Sequence, residues 1–405
     1  MGLASGDGKV RYTYRLRLSG RAQRLLLAEW DRCRWVWNQC VETSDAAHRE
    51  WLQTGVKMEC GPAQLDKRLT GWRGEYEWLA AGSSVAQQQT IRDFGRARAK
   101  ALKDRKDRKL PVRQRRGMAR FKSKHRALPS LNYSLRGFGL DARVVKLAGG
   151  IVIRPVWSRE LPSAPSSVRV YRDALGRWWC SFVVPQPQTP PAPQTGRSIG
   201  IDWGVSEVAT TTSDAHDLAH HQYGRSAAAK LAGYQRMMAR RRPAKGVPAS
   251  RGYKAAKRAA AKQHAHVAAQ RADTGRKWSK AVATDFDRIA VEDFRPKFLA
   301  KSTMARKAAD SAVAATKRAL IEQAGKRGRQ LVLVDPKYTT TDCGNCGARA
   351  KRRLPLSQRT YRCESCGHVA PRDKNSAHVM LNRAGFNPAG VEGTRPDRSP
   401  SDQAA

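Results

Sequence analysis

The sequence predicts a mixed α/β protein of several domains: an N-terminal antiparallel β-barrel interrupted by inserted helices, then an α/β sheet that carries a small four-cysteine ribbon. Three observations predict it. Strict two-residue alternation near the start is followed, after a helical stretch, by three further strand-like runs. Beyond a proline-rich break, apolar runs of strand length alternate with helical patterns, which is how an α/β sheet reads in sequence. Two CxxC pairs then fall within one short segment.

Taken in order, Val10, Tyr12, Tyr14, Leu16 and Leu18 share one face of the first strand, and Arg11, Thr13, Arg15 and Arg17 share the other. That is a half-buried strand with a basic outer face. Over residues 22–52 the period becomes helical, with Leu26, Trp30, Cys33, Trp37 and Cys40 on one side. A second helix, 83–102, runs into KALKDRKDRKLPVRQRRGMARFKSKHR. An isolated charge run is ordinarily a solvated loop. Here Phe121 among Arg120, Lys122 and Lys124 favours a surface that contacts nucleic-acid backbone. Strand signals at 151–156, 167–171 and 178–184 complete the barrel, so the helices are an insertion in it. PQPQTPPAPQT, residues 185–195, can neither pair in a sheet nor continue a helix, and it reads as a stiff spacer between domains. After it come SIGIDWGVSEVATTT (two strands), a basic helical region over about 226–283 broken near RRPAKGVPASRG, the strand RIAVED, one helix over 304–327, and the strand LVLVD. The expected boundaries are 1–20 and 126–184 for the barrel, 21–125 for the helical insertion, and 196–341 with 369–385 for the sheet domain. The ribbon takes 342–368, and the polar tail 386–405 is expected to be disordered.

Charge limits the partners. The 405 residues, 45.0 kDa, carry 77 Lys and Arg against 34 Asp and Glu, a formal net charge of +43 and a pI near 10.9. A field of one sign destabilises a compact chain by self-repulsion unless a polyanion neutralises it. Nucleic acid fits, and an anionic membrane does not, because no apolar run approaches the ~20 residues a bilayer needs. No signal-peptide pattern opens the chain, so the expected location is the cytoplasm. Cys33, Cys40, Cys60 and Cys180 stand apart from the CxxC pairs and read as free thiols in a reducing compartment.

Three acids lie where a sheet can bring them together: Asp202 in GIDWG, Glu292 at the end of IAVED, and Asp373 in PRDKNSAHVMLNRAG, which starts a helix. A carboxylate among Ile199, Ile201, Ile289 and Val291 is costly unless a cation or partner compensates it. Hydrolysis of a phosphodiester by two metal ions needs such a cluster of hard oxygen ligands. Spacing alone does not choose Glu292 over Asp293, and Asp335 and Asp342 also lie at the ends of apolar runs.

Cys343-Gly-Asn-Cys346 and Cys363-Glu-Ser-Cys366 form two knuckles with a glycine after each second cysteine. Four thiolates at this spacing close a tetrahedral zinc shell, with a rubredoxin-like iron site as the minor alternative. A closed shell leaves no position for substrate, so this metal holds structure. His368, His378, His264 and His266 lack a matching ligand set.

From Val10 to Gly385 the chain resembles the TnpB proteins of bacterial insertion sequences and their descendants, the miniature type V CRISPR nucleases. RWVWN, YEWL, RFKSK, GIDWG, VEDF, LPLSQRTYRCESCG and RDKNSA carry the likeness, in that order. The resemblance implies a wedge barrel with an inserted helical recognition lobe, then a RuvC nuclease domain of ribonuclease H fold split by the zinc ribbon. It implies Asp202, Glu292 and Asp373 as the catalytic acids holding two Mg2+ ions, one structural Zn2+ on Cys343, Cys346, Cys363 and Cys366, and a guide RNA that pairs with double-stranded target DNA beside a short motif read by the protein. The expected activity is therefore RNA-guided cleavage of DNA. A transposase, and a guided protein acting by occupancy, are the alternatives. Trp203 stands where the family usually has Leu, and Ala370-Pro371 where an acid is common; neither changes the carboxylates.

Overall fold

The computed structural model describes residues 2–3, 8–124, 127–185, 192–244, 246–294, 302–352, 354–355 and 357–386. Residues 387–405 of the expected tail, most of the proline-rich spacer and Arg353 lie outside the described residues, while Phe386, placed in that tail, is buried against Ala290, Val332 and Met380. The chain divides into one unit of residues 9–187 and another of 1–8 with 188–405, so the break falls inside the stretch expected to separate domains.

In chain order the elements begin with β1 (Gly2–Leu3), which pairs in the sheet of the C-terminal unit. The N-terminal unit contains β2 (Lys9–Arg17), α1 (Gly20–Thr54), α2 (Pro62–Glu75), α3 (Glu77–Ala80), α4 (Ser84–Lys106), β3 (Ser130–Ser134), β4 (Phe138–Asp141), β5 (Val144–Leu147), β6 (Ile151–Val156), β7 (Ser167–Arg172) and β8 (Trp178–Pro185). Its strands form one antiparallel sheet in the order β3-β7-β8-β2-β6-β5-β4. The expected barrel is thus a seven-stranded sheet, and among the described residues no ladder joins the end strands β3 and β4. Tyr14 and Leu16 are buried on the predicted face of β2, in one core with Leu131, Val145, Ile153, Val170 and Phe182 from strands across the sheet. The helices enter between β2 and β3, as expected of an insertion, and have their own core of Val36, Cys40, Leu65, Leu79, Ile91 and Phe94. Ser19 caps α1 by accepting the Ala22 amide at 3.1 Å, and Ser83 caps α4 through Ala86 at 3.3 Å. Burial pushes the thiols of Cys33, Cys40 and Cys180 up to about 12, so these are inert packing residues.

The C-terminal unit continues with β9 (Ser198–Trp203), β10 (Glu207–Thr211), β11 (Leu218–Ala219), α5 (Tyr223–Arg240), α6 (Arg251–Asp285), β12 (Arg288–Glu292), α7 (Ala305–Ser311), α8 (Val313–Lys326), β13 (Gln330–Val334), β14 (Thr360–Arg362), β15 (Val369–Pro371) and α9 (Arg372–Arg383). Its mixed sheet runs β1-β13-β12-β9-β10-β11, with β12 parallel to both β9 and β13. Central strands covered on both faces must be apolar throughout, and Ile199, Ile201, Ile289 and Val291 are fully buried. The expected single helix 304–327 is two helices. Ala312 adopts a left-handed conformation, φ 53°, and resets the register so that Val313 and Leu320 reach the sheet core. The end of the proline-rich spacer is pinned, not free. Asp287 accepts the amides of Thr195 and Gly196 at 2.7 and 2.6 Å, and Arg329 donates to the carbonyls of Ala192 and Pro193.

One glycine fixes the distance between helix and sheet. A Cβ on Gly200 of β9 would lie 2.0 Å from the Ala377 carbonyl oxygen of α9, so only glycine admits α9 against the central strand. Gly200→Ala is therefore expected to cost about 3 kcal/mol of stability, the upper end for overpacking, because a backbone atom is what must move. Chemical denaturation measures this, and a loss under about 1 kcal/mol would show that α9 yields readily.

Candidate carboxylate site and cysteine centre

Asp202 sits near the end of β9, and the β9–β12 ladder pairs Ile201 with Val291, so the next residues along the two parallel strands are Asp202 and Glu292. Glu292 is the last paired residue of β12 and is buried, 7% exposed. Asp373 lies in the first turn of α9, the helix seated over Gly200. The fold thus brings the three sequence-predicted acids to one end of the sheet. It also separates Glu292 from its neighbour: Asp293 meets the Lys317 ammonium at 2.7 Å, whereas Glu292 accepts the Trp203 amide at 3.3 Å. The other strand-end acids are occupied elsewhere. Asp335 accepts the Lys337 amide at 2.9 Å, and Asp342 pairs with Arg349 and Arg383 at 2.7 and 2.6 Å.

Burial, then the charges of Glu292 and Asp373, hold the Asp202 carboxyl well above the usual carboxylate range. Burial raises Glu292 to about 7, with the Trp203 amide and the proton shared from Asp202 opposing the rise. Three hard oxygen donors, with Asp202 and Glu292 held largely protonated by burial, suit divalent cations, which would stabilise the ionised forms. The residues fit Mg2+ by donor chemistry.

A pH dependence follows with a definite sign. For an acid whose folded-state pKa is raised, stability is fully present below the unfolded pKa and is lost as pH rises through the folded one. The metal-free protein should lose up to about 3 kcal/mol between pH 4.5 and 7.5 from Glu292 alone. Mg2+ should consequently raise the melting temperature more at pH 8 than at pH 5.5; equal shifts at the two pH values would contradict this reading of the cluster.

Sequence reasoning missed the residues that hold these acids. Trp203 donates its indole N–H to the Glu292 carbonyl at 3.2 Å and thereby ties β9 to β12, a bond the leucine usual at this position could not make. Lys374 anchors the start of α9 by donating to the Thr211 carbonyl at 2.9 Å and pairing with Asp217 at 2.7 Å and Asp214 at 2.5 Å. The lysine within RDKNSA was the available signal for the second, and the aromatic departure in GIDWG for the first.

The four ribbon cysteines converge, with all Sγ atoms within 4.8 Å of one another. Cys343 and Cys366 are 3.8 Å apart and Cys346 and Cys363 3.6 Å apart. Tetrahedral Zn–S bonds of ~2.3 Å require sulfur separations of about 3.8 Å, so this site can bind zinc. Gly347 and Gly367, at φ 76° and 71°, turn each knuckle, and their amides donate to the carbonyls of Cys343 and Cys363. Strands β14 and β15 pair antiparallel around the second knuckle. The ribbon is bolted to α9: the Asn375 side chain accepts the Gly344 amide and donates to the Asp342 carbonyl, each at 2.8 Å. A Cβ on Gly344 would approach the Asn375 carbonyl oxygen to 2.9 Å, so glycine is required there. Of the histidines set aside from the sequence, His264 and His266 on α6 and His378 on α9 are all exposed, the last with its Cβ beside Gly344.

In the N-terminal unit the RFKSK segment lies along α1. Asn38 accepts the Lys122 amide at 2.8 Å, and Trp37 donates to the Arg120 carbonyl at 2.9 Å. Arg120, Phe121 and Lys124 are exposed. Lys122 instead turns inward, its ammonium 3.4 Å from the Trp37 ring centre, and burial lowers it to about 8. It lines a basic cleft of about 910 Å3 with Arg11, Arg96, Arg116 and Arg169.

Known proteins resemble this chain in sequence. The family model described as "Probable transposase" matches residues 181–303, and that described as "Cas12f1-like, TNB domain" matches 314–380. The chain is 31% identical over 377 residues to a "Putative RNA-guided DNA endonuclease" of Streptomyces pristinaespiralis, covering 91% of this chain and 87% of that protein. It is 25% identical over 392 residues to "Putative RNA-guided DNA endonuclease InsQ" of Escherichia coli, covering 91% of each. Against "TnpB-like protein L79" of Acanthamoeba polyphaga mimivirus it is 31% identical over 134 residues, 31% of this chain and 25% of that protein. With these relatives, and with the motifs from GIDWG to RDKNSA in order, the chain belongs to the TnpB family.

Proposed function

We propose that the protein is an RNA-guided DNA endonuclease that hydrolyses phosphodiesters at the cluster of Asp202, Glu292 and Asp373. The convergence of these acids at one end of the mixed sheet carries the reading. The names of the relatives that match nearly the whole chain support the guided part. Asp202, Glu292 and Asp373 would hold two Mg2+ ions. When bound, the ions would supply a water activated for attack and charge stabilisation on the leaving oxygen. The chain's own part is to keep the carboxylates aimed: Trp203 fixes Glu292, and Lys374 fixes the turn that bears Asp373.

The mixed sheet with its helices then acts as a RuvC-type nuclease domain, and the Cys343, Cys346, Cys363 and Cys366 centre as a structural zinc ribbon within it. The N-terminal sheet serves as the wedge and α1 to α4 as the recognition lobe, where Arg120, Phe121, Lys122 and Lys124 contribute to nucleic-acid contact. Guide RNA and double-stranded DNA are the partners, and the work is cytoplasmic. No described helix is long and apolar enough to cross a membrane.

Protein purified with its bound RNA tests the proposal. Sequencing that RNA and supplying duplex DNA that matches its variable end should give Mg2+-dependent cutting with 5′-phosphate and 3′-hydroxyl ends. The absence of any defined RNA would overturn the guided reading. The "Probable transposase" description of one matching family model favours a second reading, strand transfer, and joined products from the same assay would establish it.

A further inference from the structure

Helices α5 and α6 form an antiparallel pair whose far half contributes nothing to the sheet core: among the described residues, no member of that core lies between Leu218 and Trp278. This projecting part is built from a biased sequence. Thirteen lysines and arginines stand between Asp217 and Asp273 with no Asp or Glu among them. On α6 the residues buried in this half are Ala256, Ala260 and Val267, and they share one face. At 100° per residue, Arg251, Lys254, Arg258 and Lys262 fall on the opposite face, spaced three, four and four residues apart and all exposed. They make a row about 16 Å long.

Solubility does not require this arrangement. A solubilising helix mixes signs and gains from i,i+4 pairs between opposite charges, whereas like charges at that spacing destabilise the helix. The row carries two such like-charged steps, Lys254 to Arg258 and Arg258 to Lys262, and the segment offers no acid to offset them. An external polyanion would offset this repulsion for as long as it stays bound.

We propose that this solvent face of α6 is a docking surface for the backbone of the guide RNA. The assignment rests on the proposed function, in which the RNA is the partner bound before, during and after each encounter with DNA. A surface that gains from lasting neutralisation matches the constant polyanion, and target DNA, which comes and goes, leaves it uncompensated for most of the time. Four cations at fixed helical spacing contact phosphates without reading bases, so the contact holds the RNA in place and leaves its sequence free to vary.

The test is the variant carrying Arg251→Gln, Lys254→Gln, Arg258→Gln and Lys262→Gln, since glutamine preserves helix propensity and an unchanged helical signal and melting temperature verify the fold. The probes are the RNA that co-purifies with the unaltered protein, transcribed and labelled, and a duplex DNA matching its guide. The full-length variant stripped of RNA should bind the RNA about tenfold or more weakly at 150 mM salt, with the slope of log K against log salt reduced by about 3, while RNA-loaded variant binds the DNA as the unaltered complex does. Unchanged RNA affinity and slope would refute the assignment and leave the proposed function standing. Weakening confined to DNA binding by the loaded complex would also refute it and transfer the face to the target. If no defined RNA accompanies the unaltered protein, the proposed function fails and this assignment fails with it.

Discussion

Asp202→Ala should lower the rate of DNA cleavage about a thousandfold or more while leaving affinity for the guide RNA and the target within about twofold of the unaltered protein. The size of the effect comes from position. Asp202 faces Glu292 across a parallel ladder and lies within the influence of Asp373, so its carboxylate is the member that both others touch electrostatically. Removing it would leave two acids to hold the proposed ions, and among the described residues the neighbouring acids are engaged, Asp293 by Lys317 and Asp217 by Lys374. A second consequence has the opposite sign. Burial and the Glu292 charge raise the proton affinity of Asp202, so without metal its ionised form is unfavourable above neutral pH. The Asp202→Ala protein in EDTA at pH 8 should melt no lower than the unaltered protein, and it should lose the stabilisation that Mg2+ gives. Cleavage at the original rate, or a parallel loss of RNA binding, would remove Asp202 from its proposed role.

Much of this site was legible because its chemistry is local. The knuckles are written in four cysteines and two glycines, and GIDWG and IAVED read as buried strands because nothing polar but the acid interrupts them. The spacing of IAVED could not separate Glu292 from Asp293, since adjacent strand residues differ only in the face they take. The fold separates them, through a lysine on α8 that is distant in sequence. The same limit hid the role of Gly200, whose requirement arises from the Ala377 carbonyl of α9, and that of Asn375, which looks like a helix residue until Gly344 comes beside it. In the N-terminal unit β3, β4 and β5 escape the sequence pattern because each is only four or five residues long, and α2 because its apolar residues form only a weak stripe. Composition marks Lys122 as a candidate nucleic-acid contact but cannot show that its ammonium lies over Trp30 and Trp37, which sit on α1, far away in sequence.

Cys343→Ser should destabilise the C-terminal unit by several kcal/mol, release the zinc and reduce cleavage without touching a carboxylate. Burial raises the thiols of Cys343 and Cys346, the latter to about 12, while the His368 amide brings Cys366 down to about 6; four such groups within 4.8 Å require a cation before all can be thiolates. A hydroxyl at position 343 is a poor zinc ligand, and Cys343 is the most buried of the four, 1% exposed, so the shell cannot draw a replacement from water without opening the ribbon. The damage then travels along named bonds. The first knuckle positions Gly344, whose amide is held by Asn375, and Asp342, which Asn375 and Arg383 grip from α9. Asp373 lies two residues before Asn375 on the same helix, so loosening the knuckle removes the restraint on one of the three acids. Metal analysis should find zinc lost from Cys343→Ser and retained in Asp202→Ala, and calorimetry should show a lower melting temperature for the former alone. Treating the unaltered protein with a strong zinc chelator should reproduce the cysteine variant, and excess Mg2+ should rescue neither, because the lost constraint is the seating of α9 and not the supply of catalytic ions. Full zinc content and an unchanged melting profile in Cys343→Ser would show that the four thiols do not form the centre on which α9 depends.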